Sequence, residues 1–180
     1  LCKMVSLAYQ EGFYFKPRID KELLRAFNGG LIATSGCLSG EVNRAFAADN
    51  YSRGRELAIE YLEIFGDRYY LEIQDQGLPE EKAINPMLLA LSRKSGIPLV
   101  ATNDCHYARK TDAEAHDARI CISTGSLLTD TDRLRFSGPE YYVKSPAEMI
   151  KLFESAPEAA ANTLRVAEMC HLEIPHDKHI

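Results

Sequence analysis

The stretch IPLVATNDCHYARK, residues 97–110, ends a hydrophobic run in Asn103, Asp104 and His106, placing a carboxylate and an imidazole two residues apart beside a carboxamide. On an extended chain, residues i and i+2 project to one side, with Cα atoms roughly 6.5–7 Å apart. Asp104 and His106 can therefore serve one metal ion, or one each of two close ions. An oxygen and nitrogen donor pair of this kind suits divalent Zn, Mn or Fe. Cys105, between them, is expected to face the other way and to pack as an inert thiol. Cys37, at the end of LIATSGC, is a second candidate ligand, because coordination deprotonates a thiol. The same residues also have ordinary readings. Asp104 can close a turn through its side chain while His106 bonds locally, and Cys37 can be a small buried residue. A Cys37–His106 nucleophile pair is conceivable, but the adjacent Asp104 favours metal over it.

Other candidates are weaker. His116 falls inside a helical pattern, and His171, His176 and His179 lie at or beyond the last one, so HDKH reads as a solvated tail despite its metal-pair spacing. Lys16, Arg18 and Lys21 could touch a phosphate but more commonly form a solvated turn, and Tyr69 and Tyr70 read as strand packing. No GxSxG, P-loop or GxGxxG motif is present.

Positioning these groups requires alternating helices and strands. LCKMVSLAYQEG carries a helical apolar stripe stopped at Gly12, and DKELLRAF opens on Asp20 as an N-cap and ends at Gly29 and Gly30. The short strand LIATSGC follows. SGEVNRAFAADN restarts a helix with Ser39 as its cap, and YSRGRELAIEYLEIFG sets Leu57, Tyr61, Ile64 and Phe65 at helical spacing before the strand YYLEI. LPEEKAINPMLLALSRKSG has acidic residues in its first turn, and Pro86 is expected to kink or divide it before the strand IPLVAT. This repetition of helix, glycine stop and short strand is the rhythm of βα units in an α/β fold. Polar residues follow each strand: Ser35 to Cys37, Gln74 and Asp75, then Asn103 to His106. Ligands bind at that carboxyl edge in parallel folds. Beyond Tyr107 the pattern turns helical: TDAEAHDARICIS with a Thr111/Glu114 capping box, then SPAEMIKLF and PEAAANTLRVAEMC, each with proline near its start.

Composition narrows the class. With 46% hydrophobic and 26% charged residues in 180, the chain can bury a core, and a net charge of -5 argues against a module that grips nucleic acid by bulk positive charge. No apolar run approaches the roughly 20 residues needed to cross a bilayer. The start lacks the features of a secretory signal, so the expected location is cytoplasmic. Five cysteines without a CxxC pair read as reduced thiols. The chain begins without Met and closes on HLEIPHDKHI, an aperiodic run that reads as a linker, so a segment of a longer protein is expected.

GLIATSGCLSGEV, IFGDRYYLEIQDQGLPEE, GIPLVATNDCHYARKTDAEAHDARICISTG and SPAEMIKLFESAPEAAANTLRVAEMC, in this order and at these separations, resemble the later part of the PHP (polymerase and histidinol phosphatase) domain of the bacterial DNA polymerase III alpha subunit family. The NDxHY stretch with the following AEAHD helix points to that polymerase branch rather than to stand-alone PHP phosphatases. The resemblance implies a distorted (β/α)7 barrel with up to three metal ions at its carboxyl edge, here incomplete and followed by a helical extension. It divides the chain into 1–110, the C-terminal part of the barrel; 111–170, the extension packing on it; and 171–180, the start of a linker towards a polymerase palm.

Cys37, Asp104 and His106 match family metal ligands, for Zn, Mn or Fe. The family's H-x-H motif is absent from the chain. The implied function is part of a metal-dependent phosphoesterase or 3′–5′ exonuclease site in a replicative DNA polymerase whose own Mg-dependent centre lies outside these residues. This segment alone is then expected to be inactive. Implied partners are DNA, the rest of the polymerase chain, the sliding clamp and other replisome subunits, with no membrane. The alternatives are a non-catalytic metal-stabilised scaffold or docking domain, the error-prone polymerase paralogue and, last, a small-molecule phosphatase.

Overall fold

The computed structural model describes residues 1–173; His176 and His179 of the expected linker lie outside them. Two short helices open the chain, α1 (Cys2–Gln10) and α2 (Lys21–Phe27). The Asp20 carboxylate caps α2 by accepting from the Leu23 N–H at 2.8 Å, as its position predicts. Strand β1 (Ala33–Thr34) follows, then α3 (Glu41–Ala47), α4 (Tyr51–Phe65), β2 (Tyr69–Gln74), α5 (Pro79–Ser95) and β3 (Leu99–Thr102). The three strands form a parallel sheet in the order β1-β2-β3, with Thr34 beside Tyr70, Leu71 beside Leu99 and Gln74 beside Thr102. After β3 come α6 (Ala113–Thr124), α7 (Pro146–Leu152) and α8 (Pro157–Glu168). The protein is thus mixed α/β, with a small parallel sheet and many helices.

The two faces of the sheet differ. Tyr69, Leu71 and Ile73 alternate onto one face with Leu99 and Ala101, where they join Leu57, Ile64 and Phe65 of α4 and Ile84, Leu88 and Leu91 of α5 in one buried cluster. The opposite face carries Thr34, Glu72, Gln74 and Thr102. There the Glu72 carboxylate accepts hydrogen bonds from both threonine hydroxyls and, at 3.0 Å, from the Gln74 amide. A carboxylate in the middle strand of a sheet is tolerable because it is so fully hydrogen-bonded.

β3 is an edge strand, and α8 covers its free side. Because Leu71 N–H donates to Pro98 C=O at 2.9 Å, the intervening Leu99 carbonyl points away from β2, and the Asn162 carboxamide of α8 donates to it at 2.7 Å. An edge carbonyl that would otherwise solicit a foreign strand is thereby satisfied. Just past α8, Met169 crosses to the polar face, where its sulfur accepts from the Tyr70 hydroxyl at 3.5 Å.

Several local expectations are corrected. Pro86 lies inside α5 without dividing it; burial of Ile84, Leu88 and Leu91 on one face holds the helix through the missing backbone donor. Gly40, not Ser39, is the N-cap of α3, since the chain first turns through a Gly40 N–H bond to Cys37 C=O at 2.8 Å. The Thr111/Glu114 capping box does not form. A 3₁₀ turn over Lys110–Asp112 enters α6 instead, with the Asp112 carboxylate accepting from Arg109 N–H at 2.9 Å.

Gly54 allows α3 and α4 to touch: a Cβ there would overlap the ring of Phe46, which is 1% exposed and stacks on Tyr51. Replacing a helical glycine by alanine ordinarily stabilises by about 0.5–1 kcal/mol. Here overpacking outweighs it, and Gly54→Ala is expected to lower the unfolding free energy by about 1–3 kcal/mol in urea titrations.

Candidate functional site

Parallel order places the chain segments that leave β1, β2 and β3 along one edge, but most of their polar side chains are committed to structure. The Ser35 hydroxyl accepts from Glu72 N–H at 2.9 Å, and the Gln74 amide donates to Thr102 Oγ1 at 2.9 Å. Asn103 is 5% exposed and binds through both ends of its carboxamide. Its Nδ2 donates to the Glu140 and Tyr142 carbonyls at 2.9 and 2.7 Å, while its Oδ1 accepts from Lys144 Nζ at 2.9 Å. Asn103 therefore anchors the segment over residues 140–144 to the end of β3 and is not itself free to hold a ligand.

The next residues turn outward. Asp104 has a left-handed backbone, φ +46°, so the extended-chain geometry expected for residues 104 and 106 does not apply. The two side chains nonetheless stay together: His106 Nδ1 lies 2.6 Å from the Asp104 carbonyl oxygen and 4.0 Å from its carboxylate Oδ1. A carbonyl only accepts, so Nδ1 carries the proton and the lone pair of a neutral ring resides on Nε2. His106 N–H is tied to Tyr141 C=O at 2.8 Å, and the ring packs against Phe136 at 4.5 Å and His116 at 5.5 Å between centroids. Burial, and then the neighbouring His106, hold the His116 imidazole below its ordinary range. Cys105, expected to be packed, is exposed, with its thiol donating to Tyr142 C=O at 3.4 Å. The left-handed turn at Asp104 removes the alternation that would have buried it.

Cys37 is also exposed. Its loop is held from beneath by Asn43, 3% exposed, whose Nδ2 donates to the Gly36 and Cys37 carbonyls at 3.2 and 2.9 Å. Gly40 allows the loop to close, because a Cβ there would run into the Ser35 carbonyl. Among the described residues, no three or more His, Cys, Asp or Glu side chains come together in a metal-holding group. Asp104 and His106 thus form a pair, and Cys37 does not complete a three-ligand cage with them.

Of the remaining candidates, Lys21 is paired with Glu60 at 2.6 Å and Glu41 at 3.2 Å, while Tyr69 and Tyr70 are fully buried. Two groups near the pair carry no local sequence signal. Glu81, 2% exposed, accepts from Gln76 N–H at 2.7 Å and Leu78 N–H at 3.1 Å; burial pushes its carboxyl up despite those donors, with Asp75 and Asp104 adding to the rise. Arg133 makes a two-pronged contact to Asp117 of α6, both bonds 2.6 Å, and holds that carboxyl below the usual range.

Residues 1–76 match the PHP domain, a span that includes Cys37 but not Asp104 or His106. The chain is 45% identical over 178 residues to the DNA polymerase III subunit alpha of Thermus aquaticus, covering 97% of this chain and 15% of that protein. It is 44% identical over 181 residues to that of Deinococcus radiodurans, covering 99% and 14%, and 44% identical over 179 residues to that of Helicobacter pylori J99, covering 94% and 15%. The chain belongs with the PHP-domain segment of bacterial DNA polymerase III alpha subunits, and it spans only about 15% of the length of the relatives it matches.

The strap beside the pair has a pH signature. Glu148 at the start of α7 accepts from the Tyr142 hydroxyl at 2.6 Å and from Ser145 N–H and Oγ at 2.8 and 2.7 Å, which lowers its carboxyl from 4.5 to about 2. A depressed folded value means the contribution is complete above pH 4.5 and lost as pH falls towards about 2. Thermal melts across that window are expected to show a shallower loss of stability for Glu148→Gln than for the parent chain.

Proposed function

We propose that this chain forms part of a metal-dependent PHP phosphodiesterase site in a bacterial replicative DNA polymerase, acting as a 3′–5′ exonuclease on mispaired ends. The observation that carries this reading is the His106 Nδ1 bond to the Asp104 carbonyl. It fixes the ring and leaves Nε2 as the basic nitrogen, the arrangement by which metal-ligating histidines are oriented. The partly exposed Asp104 carboxylate and the exposed Cys37 thiol supply the matching oxygen and sulfur donors.

In this reading the three-stranded sheet is part of a distorted (β/α)7 barrel, residues 1–110, with the Glu72 face turned inward. Residues 111–170 are a helical extension, and residues 171–180 lead on to a polymerase palm. Divalent cations, Zn, Mn or Fe, held by the Asp104–His106 pair and, separately, by Cys37, each with ligands from outside this chain, would supply Lewis acidity and activate water against a phosphodiester. The chain's own contribution is to hold the donors: Asn103 fixes the end of β3, Asn43 fixes the Cys37 loop, and Phe136 and Tyr141 wall the imidazole. Polymerisation itself belongs to residues elsewhere, with Mg. DNA, the sliding clamp and other replisome subunits are the proposed partners, in the cytoplasm. No helix among the described residues is long and apolar enough to cross a membrane.

A second reading, a non-catalytic scaffold, draws on the absence of a three-ligand group among the described residues. The two separate cleanly. In the full-length protein, Asp104→Asn and His106→Ala are expected to weaken metal affinity at least tenfold, the low end of the roughly 10–100-fold lost when even a ligand's hydrogen-bond partner is removed, read by plasma mass spectrometry after dialysis against graded chelator. They are also expected to lose mismatch removal from a labelled 3′ end while primer extension continues. Unchanged mismatch removal, with chelator lowering only the melting temperature, would establish the scaffold.

A further inference from the structure

Beside the Asp104–His106 pair, between α6 and the loop that returns from it, lies an open cavity of about 320 Å³. Its wall includes the rings of Tyr107, His116 and Phe136, with the Arg135 guanidinium at the same surface. The rings form a continuous group with the pair: His116 is 5.2 Å from Tyr107 and 5.1 Å from Phe136, and Phe136 is 4.5 Å from His106. That volume is at the low end of the roughly 300–1,000 Å³ of small-ligand sites, so it suits one nucleotide unit rather than an oligomer.

The charges are arranged for an anion. Arg135 is exposed and has no hydrogen-bond or ion-pair partner among the described residues, whereas Asp117, the deeper carboxylate, is neutralised by its two bonds to Arg133. Glu114 remains as the opposing charge on the wall. The Tyr107 hydroxyl is buried with no hydrogen-bond partner among the described residues, an unmet hydrogen bond in the wall itself. Aromatic rings beside a free guanidinium are the combination that binds single-stranded nucleic acid without sequence preference, the base on the ring and the phosphate on the cation. Such a contact is local and needs no bulk positive charge, which the chain lacks.

We infer that this cavity receives the terminal nucleotide of a single-stranded DNA 3′ end, stacking its base on the Phe136–His116 wall and pairing Arg135 with its one phosphate, the linkage to the preceding nucleotide, on the side of the cavity next to the Asp104–His106 pair. The inference rests on the phosphodiesterase reading for its purpose but can be tested without activity. The probe is an oligo-dT carrying 4-thiothymidine at its 3′ end, cross-linked by near-ultraviolet light to the full-length protein in EDTA and mapped by peptide mass spectrometry. Cross-links are expected within residues 107–139. Phe136→Leu and Arg135→Gln should each raise the half-saturating concentration roughly five- to a hundredfold, the range for loss of one stacking contact, while Phe136→Tyr retains it.

Arg135 is exposed, so its substitution leaves the packing intact and keeps the test valid if Phe136→Leu unfolds. Absence of cross-links within residues 107–139, or unchanged half-saturation of those cross-links in Arg135→Gln, would overturn the subsite. Metal content measured in the same preparations before EDTA is added separates the two ideas. An Asp104→Asn variant that keeps its metal while Arg135→Gln loses the cross-link defeats the metal reading alone. Loss of metal in Asp104→Asn with unchanged Arg135→Gln cross-linking defeats the subsite alone.

Discussion

One buried carboxamide holds the carboxyl edge of the sheet to the chain that follows it. Asn103 ends β3, and its two donor hydrogens and one acceptor oxygen join the strand to Glu140, Tyr142 and Lys144. Because a carboxamide both donates and accepts, it can bind two backbone carbonyls and an ammonium together, which neither Asp nor Leu of similar size can do. The Lys144 side chain is itself only 6% exposed and donates to Glu140 C=O at 2.6 Å, so its charge is placed by the same contacts. The backbone bond of His106 to Tyr141, the rings around the imidazole and the start of α7 all adjoin this junction.

The sheet shows the same economy of polar groups. Its helix-covered face is apolar, and its other face gathers Thr34, Gln74 and Thr102 around Glu72, so that a charge within the sheet has acceptable surroundings. Asn162 satisfies the free edge of β3 from α8. The long return between α6 and α7 contains no regular element beyond isolated pairing and is secured by Arg133 on Asp117 and by the Asn103 junction. These side-chain bonds do for irregular chain what ladders do for strands.

Where hydrogen-bonding needs are local, the elements were legible. The Asp20 cap of α2, the proline at the start of α7, the glycine stop at Gly96 and the parallel repetition of strands all follow from neighbours within a few residues. The misreadings share a cause. Of the kink or division expected at Pro86, the division does not occur, because buried packing carries α5 through; Thr111 loses its cap to an approach set by the 3₁₀ turn; and Cys105 loses its burial to the left-handed backbone at Asp104. The pairing of Asp104 with His106 was legible, but through the wrong geometry: the contact comes from a tight turn, not from strand alternation.

The amino-acid order by itself determined the α/β alternation, the edge on which polar residues follow the strands, and the donor types available there, because periodicity, caps and side-chain chemistry are properties of short stretches. Only the tertiary structure decided that Asn103 and Asn43 are structural, that Nε2 of His106 is the free nitrogen, and that residues 133–142 wall the site. Those outcomes depend on contacts such as Asn103 with Tyr142 and Arg133 with Asp117, made between residues 39 and 16 positions apart, which no local pattern encodes.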